Sequence, residues 1–461
     1  MVSSEQIETL KGIVGRDNIR QDADTCRIYG ADALNLDYSA DVVVFPASTT
    51  EVSLVAKFCS AEQIPLTPRG AGTGYTGGAV PSGGGVVLTL ERMNQILEID
   101  EQNLVAVVEP NVVTGHLQEM VERVGLFYPP DPASLNKSVI GGNVAECAGG
   151  PRAFKYGTTK RYVLGLQVVL PTGEIIRTGG KSVKNVVGYD LTQLLVGSEG
   201  TLAIVTEIIL RLIPKPPERI ALCATFLNIR AAVTAVEYLV AERVVPAALE
   251  LIDRDCLSVM TSNSGIARIP QTAGAMLLVE VDGFEKTVMA ESVRVKGACL
   301  RAEAISVRQA ADSEEREELW RLRRNLSLAL REQAPLKINH DVVVPKGRIP
   351  ELFEVIEKLR QTYGLRMPSF GHVGDGNIHV NILLDPADGA ALQRARDAER
   401  TLFDSVIQLE GSISGEHGIG LSKAKFLELE LSGDVIALMR RVKKAFDPHG
   451  IMNPGKIFPS S

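Results

Sequence analysis

Apolar and polar positions along the chain divide it into alternating strands and helices. Residues 5–16 follow a helical repeat, and the apolar run at 41–45 reads as a short strand. Ser48-Thr49-Thr50-Glu51 has the form of a capping box opening a helix to about residue 63, and 64–67 read as the next strand. A strand at 86–90, two more within 96–109 and a helix at 114–124 follow. A hairpin over 163–178 turns at Pro171-Thr172-Gly173, and a strand covers 202–212. Ile213-Pro214-Lys215-Pro216-Pro217 breaks regular structure and predicts a domain boundary. Beyond it, strands at 220–226 and 275–281 alternate with helices at 228–243, 285–297 and 312–332, an α+β pattern of helices covering a sheet.

The predicted strand at 64–67 delivers the chain into Pro68-Arg69-Gly70-Ala71-Gly72-Thr73-Gly74-Tyr75-Thr76-Gly77-Gly78-Ala79-Val80-Pro81. Glycines at this density allow positive φ and bring several N–H groups to one point, which suits a diphosphate. The loop runs on into a second glycine run at 83–85 and a strand, so the strand–GxGxxG–helix order of a Rossmann fingerprint is absent. Gly180-Lys181-Ser182 resembles the end of a Walker A loop, but Ile175 stands where its first glycine belongs. Paired glycines recur in Ile140-Gly141-Gly142-Asn143-Val144-Ala145-Glu146-Cys147-Ala148-Gly149-Gly150, where backbone can lie close to a flat ligand.

Composition narrows the partners. The chain has 461 residues, enough for two or three domains, and its net charge of −7 with no basic stripe argues against a nucleic-acid surface. Six scattered cysteines without a CxxC pair suit a reducing compartment and exclude an iron–sulfur cluster of the usual spacing. No secretory leader or membrane-length apolar window is present, so a cytoplasmic location is expected.

A second set of chemistry-bearing residues lies in Phe370-Gly371-His372-Val373-Gly374-Asp375-Gly376-Asn377-Ile378-His379-Val380-Asn381. The glycines exclude a helix, 378–384 reads as a strand, and His379 and Asn381 share one of its faces. A reversal at Gly374-Asp375-Gly376 can bring His372 beside His379. Glu416-His417 sits among glycines in another irregular stretch. Two histidines and a carboxylate suit a borderline divalent metal with a position left open for substrate.

PRGAGTGYTGG, GYDL and GSEGTLAIVTE resemble the FAD-binding fold of vanillyl-alcohol oxidase and p-cresol methylhydroxylase. With GHVGDGNIHVN, EHGIG and the terminal NPGKIF they extend the resemblance to the FAD-linked D-2-hydroxyacid dehydrogenases and glycolate oxidase catalytic subunits, from about residue 40 to 458. The implied fold is α+β: a p-cresol methylhydroxylase-type FAD-binding domain at 1–215, a substrate and metal domain with an antiparallel sheet at 216–440, and a segment at 441–461 returning towards the flavin.

The resemblance implies that Pro68, Arg69, Gly70, Ala71, Gly72, Thr73, Gly74, Thr76, Gly77 and Gly78 hold the FAD diphosphate. Pro132, Ser134, Gly141, Gly142, Asn143, Ala145, Gly149 and Gly150 would flank the flavin ring, and Gly200, Ile204, Val205 and Asn453 would complete the cofactor site. Thr73 stands where covalent flavoproteins of this fold carry His, which implies non-covalent FAD. His372, His379 and Glu416 would bind zinc or manganese, with His417 as base. Arg323 and Lys337 would hold the substrate carboxylate, with Asn381 and Ser327 nearby, while at least one of Arg321, Arg323 and Arg324 belongs to a solvated helix face.

The expected reaction is oxidation of a D-2-hydroxyacid such as D-lactate, glycolate or D-2-hydroxyglutarate to its 2-oxo acid. Hydride would pass to FAD and electrons to an external acceptor: electron-transfer flavoprotein, an iron–sulfur subunit or a quinone-linked carrier. A non-catalytic FAD subunit of a larger complex would have no need of GHVGDGNIHVN and EHG, and a zinc hydrolase would leave the flavin motifs unused.

Overall fold

Three short runs, Val42–Val44, Leu66–Arg69 and Val86–Thr89, pair in parallel in a computed structural model that describes residues 1–34, 36, 38–263 and 269–459. Parallel strands need a crossover, and helix Thr49–Ala61 supplies it, burying Val52, Val55, Ala56 and Cys59 at helical spacing. Ser48 caps that helix by accepting the Glu51 N–H, but the Glu51 carboxylate turns to the Ala47 N–H, so only half of the expected capping box forms. The strand read at 64–67 begins at Leu66, because Gln63 takes a left-handed φ of 52° and Ile64 closes back on Cys59. Ile19–Arg20 adds an antiparallel edge, giving four strands.

A five-stranded antiparallel sheet follows, in the order Ile96–Asp100, Val105–Val108, Ile204–Arg211, Val163–Val169 and Ile175–Gly179. Several elements have no counterpart in the sequence reading, and one of them falls on a segment expected beside the flavin. Residues 140–146 form a helix despite Gly141-Gly142, ended by Cys147 at φ 55°. A Cβ on Gly141 would come within 2.6 Å of Pro110 Cβ, so close packing rather than helix propensity explains glycine there.

Two units emerge from the contacts. The first holds residues 1–149, 158–215 and 416–461; the second holds 150–157 and 216–415. The last segment of the first unit pairs with its parallel sheet, since the Leu66 N–H donates to Ile451 O and the Asn453 N–H to Leu66 O, both at 2.8 Å.

The second unit is built on a seven-stranded antiparallel sheet. Its order is Ser306–Gln309, Glu218–Phe226, Ala275–Gly283, Ala248–Asp253, Ser369–His372, Asn377–Leu384 and Leu336–Val343. Helices Ile229–Ala241, Glu285–Arg301, Ser313–Arg331, Ile349–Tyr363 and Gly389–Gln408 accompany it. Residues 150–157 are fastened here: Lys155 Nζ and the Tyr156 hydroxyl donate to the Asp282 carboxylate at 2.5 and 2.7 Å. Buried Trp320 donates its indole N–H to Glu280 at 2.7 Å. Among the described residues no helix is long and apolar enough to cross a membrane.

Candidate functional site

In the first unit, the strand Leu66–Arg69 opens directly into the glycine loop. Gly72 and Gly77 adopt φ of 65° and 82°, and the Gly77 N–H is held by Asp32 at 2.8 Å. Among the described residues no group accepts from the backbone N–H of Ala71, Gly72, Thr73, Gly74 or Thr76. Unengaged N–H groups gathered on a turn form an anion cradle. A Cβ on Gly74 would meet nothing within 4 Å, so the space beside the loop is open on that side. These features fit the diphosphate of FAD.

Other predicted cofactor residues shape this cradle from behind. Asn453 donates through Nδ2 to Gly78 O and Glu199 O, both at 2.8 Å, stitching the loop to the Gly197–Gly200 turn. Gly200 has φ 65°, and a Cβ there would lie 2.9 Å from Pro68 Cγ. Buried Asn143 donates to Thr114 Oγ1 at 2.7 Å, Ser134 O accepts the N–H groups of Lys137 and Ser138, and Ile204 and Val205 open a central strand. Arg69 is buried, donating to Ala31 O at 2.7 Å with its guanidinium 5.5 Å from the Tyr29 ring.

Two carboxylates beside the loop escaped the sequence reading. Glu199 accepts the N–H groups of Ile419 and Gly420 at 2.8 and 2.6 Å, which opposes the upward push of burial on its pKa. Burial, then the charges of Glu199 and Asp32, raise Glu146 well above the usual carboxylate range. His417 stacks on Tyr75 with ring centroids 5.3 Å apart, and its Nε2 lies 3.8 Å from Glu416 Oε1.

The second unit brings together a separate group of side chains. Ser369–His372 and Asn377–Leu384 form a tight hairpin in which His372 opposes Asn377 and Phe370 opposes His379. The His372 and His379 rings meet edge to face with centroids 5.3 Å apart. Buried Asp341, on the neighbouring strand, lies 4.0 Å from His379 Nδ1 and accepts from Asn377 Nδ2 at 2.6 Å and from the Gly415 N–H at 3.0 Å. Asp341 and His379 form one pair of metal-type donors, and Glu416 and His417 of the first unit another. Sequence reasoning assigned no role to Asp341, although a β-strand that places Asn339 and Asp341 on one face carried the signal.

Helix Ser313–Arg331 separates the three arginines cleanly. Arg321 pairs with Glu318 on the exposed face, Arg324 faces Glu317 at 3.7 Å, and Arg323 is buried against Glu250. Arg323 Nε and Nη2 lie 2.6 and 2.5 Å from Glu250 Oε2, and His372 Nδ1 lies 2.6 Å from Glu250 Oε1. Burial would raise the Glu250 carboxyl, but Arg323 and His372 outweigh it and hold it at about 2. The Arg323 guanidinium also stands 4.5 Å over the Phe370 ring.

Lys337 donates to the backbone oxygen and hydroxyl of Ser327 at 3.0 and 2.6 Å. Burial, reinforced by the charge of Arg331, pushes its ammonium down to about 8. Asn381 donates to Pro368 O and His379 O and accepts from Asn339, so its amide is committed to fixing the strand that carries His379. This unit therefore carries imidazoles, a carboxylate, a buried guanidinium and a half-buried ammonium, a donor set suited to a divalent metal and a small carboxylate.

Comparison with known proteins agrees with both halves. Residues 40–179 match the "FAD binding domain" family and residues 215–457 match "FAD linked oxidases, C-terminal domain". The glycolate oxidase subunit GlcD of Bacillus subtilis is 42% identical over 459 residues, covering 99% of this chain and 97% of that protein. A D-lactate dehydrogenase of Anaerostipes hadrus is 36% identical over 99% of this chain and 98% of its own. Substrate-bound p-cresol methylhydroxylase superposes with a TM-score of 0.81 at 17% identity, over 99% of this chain and 97% of that one, which establishes the fold. A glycine cradle for FAD and a full-length match to such relatives lead to one conclusion: the chain belongs to the FAD-linked oxidases and is an oxidoreductase.

Proposed function

We propose that this protein oxidises a short D-2-hydroxycarboxylate to the 2-oxo acid, with non-covalent FAD and a divalent zinc or manganese ion. Its electrons would pass to an external acceptor such as electron-transfer flavoprotein or an iron–sulfur subunit. The observation that carries the reading is the buried pair His372 and His379 in the same unit as Arg323 and Lys337, in a chain of the FAD-linked oxidase family.

The chemistry that bound FAD would supply is a hydride acceptor, and that of a bound divalent metal a Lewis acid for the substrate hydroxyl. Lys337 and Arg323 bind and orient the substrate carboxylate, a role that suits a compact ammonium and a planar guanidinium. His372, His379 and Glu416 are the metal ligands, and Asn381 holds the strand that aims His379. His417 is the base that takes the hydroxyl proton, and its ring is already oriented by stacking on Tyr75.

The test is anaerobic reduction of the bound flavin by glycolate and by both enantiomers of lactate, 2-hydroxyglutarate and malate, before and after chelation. Bleaching by a D-acid or glycolate, lost on chelation and restored by zinc or manganese, is expected. A flavin that dithionite reduces but no hydroxyacid bleaches would sink the proposal.

A further inference from the structure

The apolar strand Ala248–Asp253 carries a charge that none of the motifs announces. Glu250 is fully buried, and its two oxygens are divided between different partners: Oε1 meets His372 Nδ1 at 2.6 Å, and Oε2 meets Arg323 Nε and Nη2 at 2.6 and 2.5 Å. We propose that Glu250 is a positioning residue that aims the metal-binding nitrogen of His372 and the substrate-binding edge of Arg323 through one carboxylate. This rests on the reading of His372 as a metal ligand and Arg323 as a substrate ligand.

The chemistry comes from what a carboxylate can do. Flanked by a guanidinium, Glu250 is ionised and accepts only, so the imidazole proton sits on Nδ1 and the Nε2 lone pair is left to coordinate. The same contact occupies the Nε and Nη2 side of Arg323 and leaves its Nη1 side uncommitted by Glu250. Phe370 reinforces the arrangement, since it lies beneath the guanidinium at 4.5 Å and against the His379 ring at 5.2 Å. Strand pairing fixes the spacing: Glu250 opposes His372 and Ile252 opposes Phe370 across adjacent strands. No other acid on that strand reaches the pair, because Asp253 is bound to Arg360, the Cys256 N–H and the Ser369 N–H.

A glutamine at 250 cannot replace the carboxylate on both sides, because its NH2 faces either the imidazole N–H or the guanidinium. Truncating one partner also leaves a buried Arg unpaired, so Glu250→Gln is paired with Glu250→Gln/Arg323→Gln, which removes both charges. The FAD-loaded, chelator-stripped full chain is titrated with zinc and with manganese, and thermal unfolding confirms the fold. The expected result is a loss of metal affinity of about 10–100-fold in Glu250→Gln and in the double variant relative to Arg323→Gln. KM for the hydroxyacid rises in Glu250→Gln as well, although Arg323 itself is still present. In metal-free wild-type protein, histidine 15N shifts above neutral pH should place the His372 proton on Nδ1. Unchanged metal affinity in the double variant relative to Arg323→Gln, or an Nε2–H tautomer, overturns the inference. His372→Ala with wild-type metal affinity would instead overturn the ligand reading beneath it, whatever Glu250 does.

Discussion

Replacing Lys337 by Met should make the protein more stable and less active at once. Folding takes this ammonium from an ordinary 10.5 to about 8, roughly 3 kcal/mol against the charged form. Met is close in length and carries no charge, so at pH 7 most of that penalty disappears. Loss of the two hydrogen bonds to Ser327 offsets part of the gain, leaving a net stabilisation of about 1–2 kcal/mol. The pH dependence has a definite sign. A lysine whose folded pKa is depressed binds fewer protons folded than unfolded between about 8 and 10.5, so wild-type stability rises with pH across that window relative to Lys337→Met. Activity goes the other way, because losing a charge-assisted contact of about 1.5–3 kcal/mol lowers kcat/KM for the hydroxyacid by about 10–150-fold. Denaturant melts at pH 7 and pH 9.5, with stopped-flow flavin reduction, measure both. A variant that is less stable at pH 7, with the same stability difference from wild type at pH 9.5, would refute the reasoning.

Two further substitutions probe the cofactor unit. Gly74→Val should leave the FAD-free protein unchanged in thermal stability, since a Cβ there meets nothing within 4 Å, yet weaken FAD binding at least about tenfold by filling the open side of the cradle; unchanged FAD affinity by fluorescence titration would contradict the placement. Glu146→Gln should gain stability over wild type as pH rises. A carboxyl raised in the folded state contributes most below its unfolded value and loses that contribution as pH climbs through its folded one. Thermal unfolding between pH 5 and 9 reads it, and parallel curves for the two proteins would be the contrary result.

How much of this was legible in the sequence depended on whether the signal was local. The hairpin carrying His372 and His379 could be read because Gly371, Gly374 and Gly376 exclude a helix and force a reversal within a few residues. The nucleotide loop was readable for the same reason. Glu250 was not, since its partners lie 73 and 122 residues away and it sits in an apolar strand where nothing marks it as polar machinery. Glu146 and Glu199 were hidden similarly: each lies in a glycine-rich motif whose glycines drew the attention. The helix at 140–146 was missed because Gly141 and Gly142 lower helix propensity, and only contact with Pro110 explains them. Choosing Arg323 over Arg321 and Arg324 needed the helix phase, which an error of one residue is enough to lose.

The chain's route between its two units has a consequence for biosynthesis. Residues 416–461 supply Ile451 and Asn453 to the strand that opens the nucleotide loop, and Ile419 and Gly420 to the Glu199 carboxylate. A nascent chain that has only reached residue 215 thus has a bare edge at Leu66 and a buried acid without its amide partners. The second unit, whose residues 150–157 and 216–415 are all synthesised before residue 416, can close first while the sheet at Leu66 waits for residues 416–461. Flavin uptake then waits for residues 416–461, and protein prematurely ended before residue 416 should accumulate as an apoprotein prone to edge-to-edge association rather than as a truncated holoenzyme.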